Sequence, residues 1–317
     1  MVLSANINHN DIIEAYKRIR PYTKNTPVLQ SRLLNKLTNT NIYFKCENFQ
    51  SVGAFKFRGA NNAIRLLNNS ILGRGVATHS SGNHGQAVAL VAKQIGIPAY
   101  IVMPNNAPDI KVEAIRSYGA MIKFCEPTLE ARESTLNQLI ATTNANFIHP
   151  YNDLNVIAGQ GTVAYEFIQK IHHLDIIIAP VGGGGLLSGT SLIAKHLKPS
   201  ITVIGAEPSG ADDAFRSKET GKIQKHSQPD TICDGLRTSL GSNTFSIISR
   251  FTDKIHLVED AYTIEAMKLI WERMKIIVEP SACIGLGAVL KNKEYYHNKN
   301  IGIILTGGNL DLSKLPF

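Results

Sequence analysis

A chain of 317 residues with 44% hydrophobic and 18% charged residues has the balance of a globular protein, long enough for one large domain or two coupled ones. No apolar run reaches the roughly 20 residues of a membrane span, and the N-terminus lacks the basic-then-apolar order of a signal peptide, so the expectation is a cytoplasmic protein with no membrane partner. The net charge of +8 comes from scattered lysines and arginines, and Cys46, Cys125, Cys233 and Cys283 form no CxxC pair, which argues against nucleic-acid binding, a zinc ribbon and a disulfide scaffold.

In chain order, the first conspicuous stretch is SVGAFKFRGA (51–60), where Lys56 stands between Phe55 and Phe57. Next come a predicted strand, GVATHS (75–80), and a predicted helix, HGQAVALVAKQIG, whose closing Gly96 fits a helix C-cap. AYIVMP (99–104) then pairs with DIKVEAIRSYG and its Gly119, and MIKFCE (121–126) with LEARESTLNQLIATT. GQGTVAYEFIQKI is helical, DIIIAPV (175–181) and ITVIGAEP (201–208) are strands, TIEAMKLIWERMK is helical, and NIGIILTGG (300–308) is a last strand. Such alternation predicts an α/β protein with mostly parallel sheets covered by helices. The predicted division is a large domain of residues 1–70 and 151–317 and a small one of 71–150, with a hinge in 149–155.

Three glycine-marked loops each follow a strand: SSGNHG (80–85), VGGGGLLSG (181–189) and TGGN (306–309). Ligands of parallel α/β proteins bind beyond the carboxyl ends of strands, so the three loops should converge. Gly182, Gly183, Gly184 and Gly185 lack Cβ atoms, which lets successive backbone N–H groups turn inward at a helix N-terminus and form a phosphate cup. A glycine run alone is equally a tight turn; the strand-loop-helix setting favours the cup. It is neither GxGxxG nor GxxxxGK[ST], which weakens nucleotide readings. An amine held among aromatics loses solvation, its pKa falls, and its lone pair becomes available to a carbonyl. The alternative is a lysine that snorkels from a helix start. Pyridoxal 5'-phosphate, an aldehyde bearing a phosphate, needs both the amine and the cup.

GAFKFRGA, SSGNHGQA, VGGGGLLSG and LTGGN, together with IAGQGTVAYE (157–166), EPSGADDA (207–214), WERMK (271–275) and EPSA (279–282), resemble the pyridoxal-phosphate dependent serine racemase and threonine/serine dehydratase family, and within it the serine racemases most. The resemblance spans nearly the whole chain. It implies fold type II, the tryptophan-synthase-β-like architecture of two open, twisted, mostly parallel sheets. It also implies racemisation of serine, elimination of water from L-serine and L-threonine to give 2-oxo acid and ammonia, and a homodimer. L-threo-3-hydroxyaspartate is a rival substrate. A cysteine-synthase-like β-replacement enzyme fits less well, because its KDR-type lysine motif and TSGNTG loop are absent, and a silent amino-acid-binding relative would not need an intact Lys56 and cup. The length leaves no room for the C-terminal regulatory domain of long biosynthetic threonine dehydratases, so control by isoleucine is not expected.

The resemblance assigns Lys56 as the amine that joins the cofactor aldehyde and returns as a base. Phe55 would pack on the ring, Asn83 would meet its 3-oxygen, Gly182 to Gly185 with Leu186 would hold the phosphate, and the Thr306 hydroxyl would meet the ring nitrogen. Ser80, Ser81, Gly82, Asn83 and His84 would grip the substrate carboxylate, with Ser81 also the second acid/base, on the face opposite Lys56. Arg132, its neighbour Glu133 and Thr238 match positions near the substrate, although Arg132 and Glu133 read equally well as an exposed helix face. Glu207, Asp213 and the Ala211 carbonyl would hold Mg2+, or alternatively Ca2+ or Mn2+. Gln86, Tyr118 and Asn309 match positions that relatives use for ATP, but Ser51 and Val52 replace a Lys-Thr pair, which argues against ATP as an effector. Tyr151 stands where an asparagine is common.

Overall fold

Short runs of isoleucine, valine and alanine form the interior strands of two sheets. The computed structural model describes residues 7–317 except Ser81, Pro108 and Ser227, so the roles assigned to Ser81 lie outside the described residues. Among the described residues there are ten strands: β1 Val28–Leu29, β2 Asn41–Cys46, β3 Val76–His79, β4 Ala99–Pro104, β5 Met121–Cys125, β6 Asn146–Phe147, β7 Ile176–Pro180, β8 Thr202–Pro208, β9 Lys254–Val258 and β10 Asn300–Leu305. One sheet has the order β1-β2-β10-β7-β8-β9, with only β1 antiparallel to its neighbour. The other, β5-β4-β3-β6, is wholly parallel.

In the larger sheet the strand period of two feeds two separate cores. Ile177 and Ala179 of β7 face the helices Leu154–Lys170 and Gly185–Leu197, while Ile176 and Ile178 face Asp260–Met274 and Pro280–Lys291. That double burial is why β7 and β10 read as nearly unbroken apolar runs. β1, β2, β6 and β9 were not among the predicted strands. Two of them have only two residues, β9 lies at the sheet edge, and β2 carries Tyr43 and Lys45. Lys45 is nonetheless buried, because its amine donates to Glu166 at 2.7 Å and to the Thr26 carbonyl at 2.9 Å.

The helix Lys56–Arg65 packs Phe57, Ala60, Ala63 and Ile64 into the core of the smaller sheet, beside Val76, Ile101 and Val88. Its back lies against Leu154–Lys170 so closely that a Cβ on Gly159 would come within 2.6 Å of the Gly59 Cα. A second close crossing joins the same long helix to Gly185–Leu197, where a Cβ on Gly189 would meet the Gly161 nitrogen at 2.6 Å. Glycine costs helix stability, but here it permits backbone-to-backbone approach. One helix thus sets the lysine-bearing helix and the glycine-cup helix relative to each other.

An ion cluster of buried Arg58, Lys45 and Glu47 with the nearly buried Glu166 locks the first turn of Lys56–Arg65. Arg58 donates to both oxygens of Glu47 (2.7 and 2.9 Å) and both of Glu166 (2.8 Å each). Arg58 and Lys45 face Glu47 and Glu166, so the buried charges balance. Removing one member would strand a buried charge, at a cost of about 3–5 kcal/mol. Among the described residues no helix is long and apolar enough to cross a membrane.

Candidate active site

The loops that end β2, β3, β6, β7 and β10 meet between the two sheets. After β2 the chain makes two short 3-10 turns, Glu47–Phe49 and Ser51–Gly53, before Lys56 opens its helix. The segment is stitched to the end of β10: the Phe55 N–H donates to the Thr306 carbonyl (3.0 Å), the Gly308 N–H to Gly53 (3.0 Å), and Ala54 forms a bridge with Gly307. Lys56 and Thr306 are thereby placed side by side.

The Lys56 amine is part-buried, 5.2 Å from the Phe55 ring centre, and donates to the Pro150 carbonyl at 2.9 Å. Burial lowers its pKa from the ordinary lysine value of 10.5 to about 8, against the opposing pull of Glu279. Thr306 is buried, and its Oγ1 has no hydrogen-bond partner.

Each glycine of the 182–185 run faces a wall. A Cβ on Gly182 would lie 2.8 Å from the Leu236 Cα, on Gly183 2.3 Å from the Tyr151 ring, on Gly184 2.7 Å from Leu240, and on Gly185 3.1 Å from the Tyr151 backbone. Gly184 also has φ +85°, a conformation only glycine adopts freely. The run leads into the helix Gly185–Leu197, which begins with Gly185 and the buried Leu186, so its N-terminal N–H groups point into the same space.

Asn83 opens the helix Asn83–Ile95, with Gly82 at its N-cap. The Gly82 N–H donates to Ser80 Oγ at 3.3 Å, and a Cβ on Gly82 would meet nothing within 4 Å. His84 lies inside the protein rather than in the cleft. Its Nε2 donates to the Ile148 carbonyl (3.0 Å), and burial, followed by the Lys56 charge, drives its pKa down to about 3. It is a neutral anchor for the loop. His149 Nδ1 accepts the N–H groups of Tyr151 (3.2 Å) and Asn152 (3.0 Å), and burial lowers its pKa to about 4.

Arg132 sits on the helix Leu129–Thr143, where its Nε donates back to the Thr128 carbonyl at 3.2 Å. Arg132 and Glu133 are near enough to His79 and Tyr151 for their charges to act on both. Thr238 is exposed in the loop beyond Leu236. Glu207, Ala211 and Asp213 form a separate buried corner at the end of β8. Both Glu207 oxygens accept backbone N–H groups, from Ala214 and Phe215 (2.7 Å each), while Asp213 Oδ2 is buried without a partner. No group of three His, Cys, Asp or Glu side chains converges on one point among the described residues.

Two features escaped sequence reasoning. Glu279 is buried against Asn83, and burial, followed by Asp234, raises its pKa from 4.5 to about 8. In the sequence it falls in EPSA (279–282), one of the stretches that carry the resemblance, but without an assigned role, and otherwise reads as the residue before a helix-opening proline. Lys111, on the helix Asp109–Ser117 beside the smaller sheet, pairs with Asp234 at 2.7 Å, next to the Gly235–Leu236 wall of the cup. No local pattern signals a pair so distant in sequence.

A lowered amine, an anion cup at a helix N-terminus and a neutral hydroxyl at the end of a parallel strand together define an α/β enzyme built to hold a phosphate-bearing carbonyl compound. A family model described as "Pyridoxal-phosphate dependent enzyme" matches residues 19–307. The chain is 51% identical to the serine racemase of Dictyostelium discoideum, over 98% of this chain and 97% of that protein. It is 46% identical to the L-threo-3-hydroxyaspartate ammonia-lyase of Saccharomyces cerevisiae, over 96% and 94% respectively. The solved structure of maize serine racemase matches with a TM-score of 0.95 and 44% identity, over 96% of this chain and 94% of that one. The chain belongs to the pyridoxal-phosphate dependent enzyme family and has its fold type II architecture. The site fits the cofactor, because the buried, unpartnered Thr306 hydroxyl and the Cβ-free cup are what a ring nitrogen and a phosphate require.

Proposed function

We propose that this enzyme interconverts L- and D-serine and eliminates water from L-serine and L-threonine, releasing pyruvate or 2-oxobutanoate and ammonia. The observation that carries this reading is the neutral Thr306 hydroxyl, rather than a carboxylate, beside the lowered Lys56 amine. Pyridoxal phosphate supplies a carbonyl for the substrate amine and a ring that draws electrons from the α-carbon. A hydroxyl supports the ring nitrogen without fixing a proton on it, which favours prompt loss of a β-substituent over prolonged storage of charge.

Lys56, with a pKa near the working pH, takes the α-proton. Phe55 packs on the ring, Asn83 donates to its 3-oxygen, and Gly182 to Gly185 with Leu186 hold the phosphate. Ser80, Gly82 and Asn83 hold the substrate carboxylate at a helix N-terminus, with His84 bracing their loop. Ser81 returns a proton on the opposite face, which is what distinguishes racemisation from elimination. Arg132 and Thr238 face the substrate when the small domain, residues 71–150, closes over the cleft, a movement that the Lys111–Asp234 pair supports.

Mg2+ at Glu207, Asp213 and the Ala211 carbonyl is supported by the partnerless Asp213 oxygen. A homodimer is supported by the exposed apolar side chains Leu33, Leu37, Phe49 and Ile277, and a cytoplasmic setting accords with four free cysteines.

The test is to incubate the cofactor-loaded protein with L-serine, L-threonine and L-threo-3-hydroxyaspartate, each with Mg2+ and with chelator, and to quantify 2-oxo acid and D-amino acid together. D-serine beside pyruvate supports the full reading. Oxo acid alone reduces it to a dehydratase, and fastest turnover of the hydroxyaspartate names the alternative. Loss of both activities with chelator, restored by Mg2+, supports the metal.

A further inference from the structure

Glu279 precedes Pro280 at the start of the helix Pro280–Lys291, yet its side chain makes no capping hydrogen bond to that helix. It turns toward the cleft instead, 4% exposed. Its oxygens accept from Asn83 Nδ2 at 2.9 and 3.3 Å, and Oε2 also accepts from the Asn309 backbone N–H at 3.2 Å. Asn309 Nδ2 in turn donates to the Val52 carbonyl at 2.6 Å and to Asn83 Oδ1 at 2.8 Å. A Cβ on Gly307 would lie 2.7 Å from Glu279 Oε1, so the glycine after Thr306 leaves room for this carboxylate.

These contacts leave one orientation for the Asn83 amide. The Val52 carbonyl can only accept, so the Asn309 atom facing it must be the amino group. Its second hydrogen then requires the Asn83 oxygen opposite, which turns the Asn83 amino group to Glu279. A flipped Asn83 would set amino against amino on one side and oxygen against carboxylate on the other. Held as it is, Asn83 keeps one N–H beyond the pair with Glu279. The network is anchored in Val52, a β-branched residue at φ +56° whose carbonyl Asn309 grips.

We propose that Glu279 is a positioning residue that acts through Asn83, fixing its amide so that the remaining N–H is offered to the cofactor's ring oxygen. The proposal rests on the reading that Asn83 meets the cofactor. A carboxylate suits the task because both its neighbours are donors and, once ionised above its raised pKa of about 8, both its oxygens accept; the comparison is therefore made above that pH. Glutamine, of nearly the same shape, accepts through one oxygen and sets an amino group against the other donor.

The experiment compares cofactor-loaded wild type, Glu279→Gln, Asn309→Ala, Asn83→Ala and the Glu279→Gln/Asn83→Ala double variant. Two substrate-free readouts are taken, the visible absorbance band of the bound cofactor and its release rate on dialysis. Glu279→Gln is expected to shift the band and speed release roughly three- to tenfold, the scale of one lost hydrogen bond. In the Asn83→Ala background the same substitution adds no more than about a twofold change, because the path to the cofactor is already cut. Asn309→Ala reproduces the shift and serves in place of Glu279→Gln if that variant does not fold. An unchanged band and release rate in Glu279→Gln, or an equal shift with Asn83 already removed, overturns the positioning role while leaving Asn83 in place. If Asn83→Ala itself changes neither readout, the cofactor role of Asn83 fails and this proposal fails with it.

Discussion

The Lys56 amine donates to the Pro150 carbonyl at 2.9 Å, tying the helix that carries the reactive lysine to the segment between the smaller sheet and the helix Leu154–Lys170. The carbonyl accepts a hydrogen bond from the amine, whose pKa burial lowers to about 8, so the proton is more easily released than from an exposed lysine. Replacing Lys56 by Ala should remove the covalently held cofactor and lower both activities by at least about 10²–10⁴-fold, the contribution of a placed general base. Borohydride reduction followed by peptide mass analysis should tag Lys56 in the wild type and no residue in the variant.

The same burial makes stability depend on pH in the cofactor-free protein. Between about 8 and 10.5 the unfolded chain keeps the Lys56 proton and the folded chain has lost it, so stability gains from this residue as pH rises through that window. Glu279 acts in the opposite sense. Between 4.5 and about 8 the folded chain holds a proton that the unfolded chain has released, so its contribution falls as pH rises. Thermal melts across both windows should show Lys56→Met flattening the upper limb and Glu279→Gln the lower one.

Ser81→Ala should cut D-serine formation by about 10²–10⁴-fold while elimination from L-serine persists, because elimination needs no proton from the second face. Assaying pyruvate and D-serine in one tube decides it. Equal loss of both would remove Ser81 from the proton pathway.

Gly183→Ala would place a methyl group 2.3 Å from the Tyr151 ring, which must shift or tilt the cup. Overpacking of this kind costs about 1–3 kcal/mol, so affinity for pyridoxal phosphate should fall roughly tenfold or more. Titration of the cofactor-free variant measures this directly. Adding Tyr151→Ala should restore part of the affinity by clearing the clash.

Lys111 and Asp234 join the two sides of the cleft at 2.7 Å, with side chains 22% and 46% exposed. A pair this open contributes no more than about 1 kcal/mol and is screened by salt. Lys111→Ala should leave the melting temperature nearly unchanged and raise KM up to about fivefold at low ionic strength, with the difference vanishing in high salt. A KM insensitive to the substitution at low salt would show that the pair plays no part in closure.

Much of the fold was legible because buried parallel strands write themselves as apolar runs: β4, β7, β8 and β10 all fall on such runs. Strand β2 was hidden because Lys45 is neutralised by Glu166, more than a hundred residues away, and apolar content is the only local cue. The helix glycines 59, 159, 161 and 189 look like weak points in a linear reading and prove to be crossing points. In the site, Lys56 and the four-glycine run stood out in combination: a snorkelling lysine or a tight turn explains either one alone, but an amine among aromatics together with a cup in a strand-loop-helix setting suits a phosphate-bearing aldehyde. Glu279 was noticed only as part of EPSA and given no role, since a glutamate before a proline is an ordinary helix start.

Neighbours along the chain determine strand period, helix phase, the glycine cup at a helix N-terminus and the apolar setting of Lys56, and all of these the sequence contained by itself. Which groups touch was decided by packing. Lys56 and Pro150 are 94 positions apart, and Asn83 and Glu279 are 196 apart. Their meeting depends on two glycine crossings and a buried ion cluster that set whole helices against one another. The lowered amine, the neutral His84 and the oriented Asn83 arise only there, because loss of water and the partners that replace it belong to the folded chain.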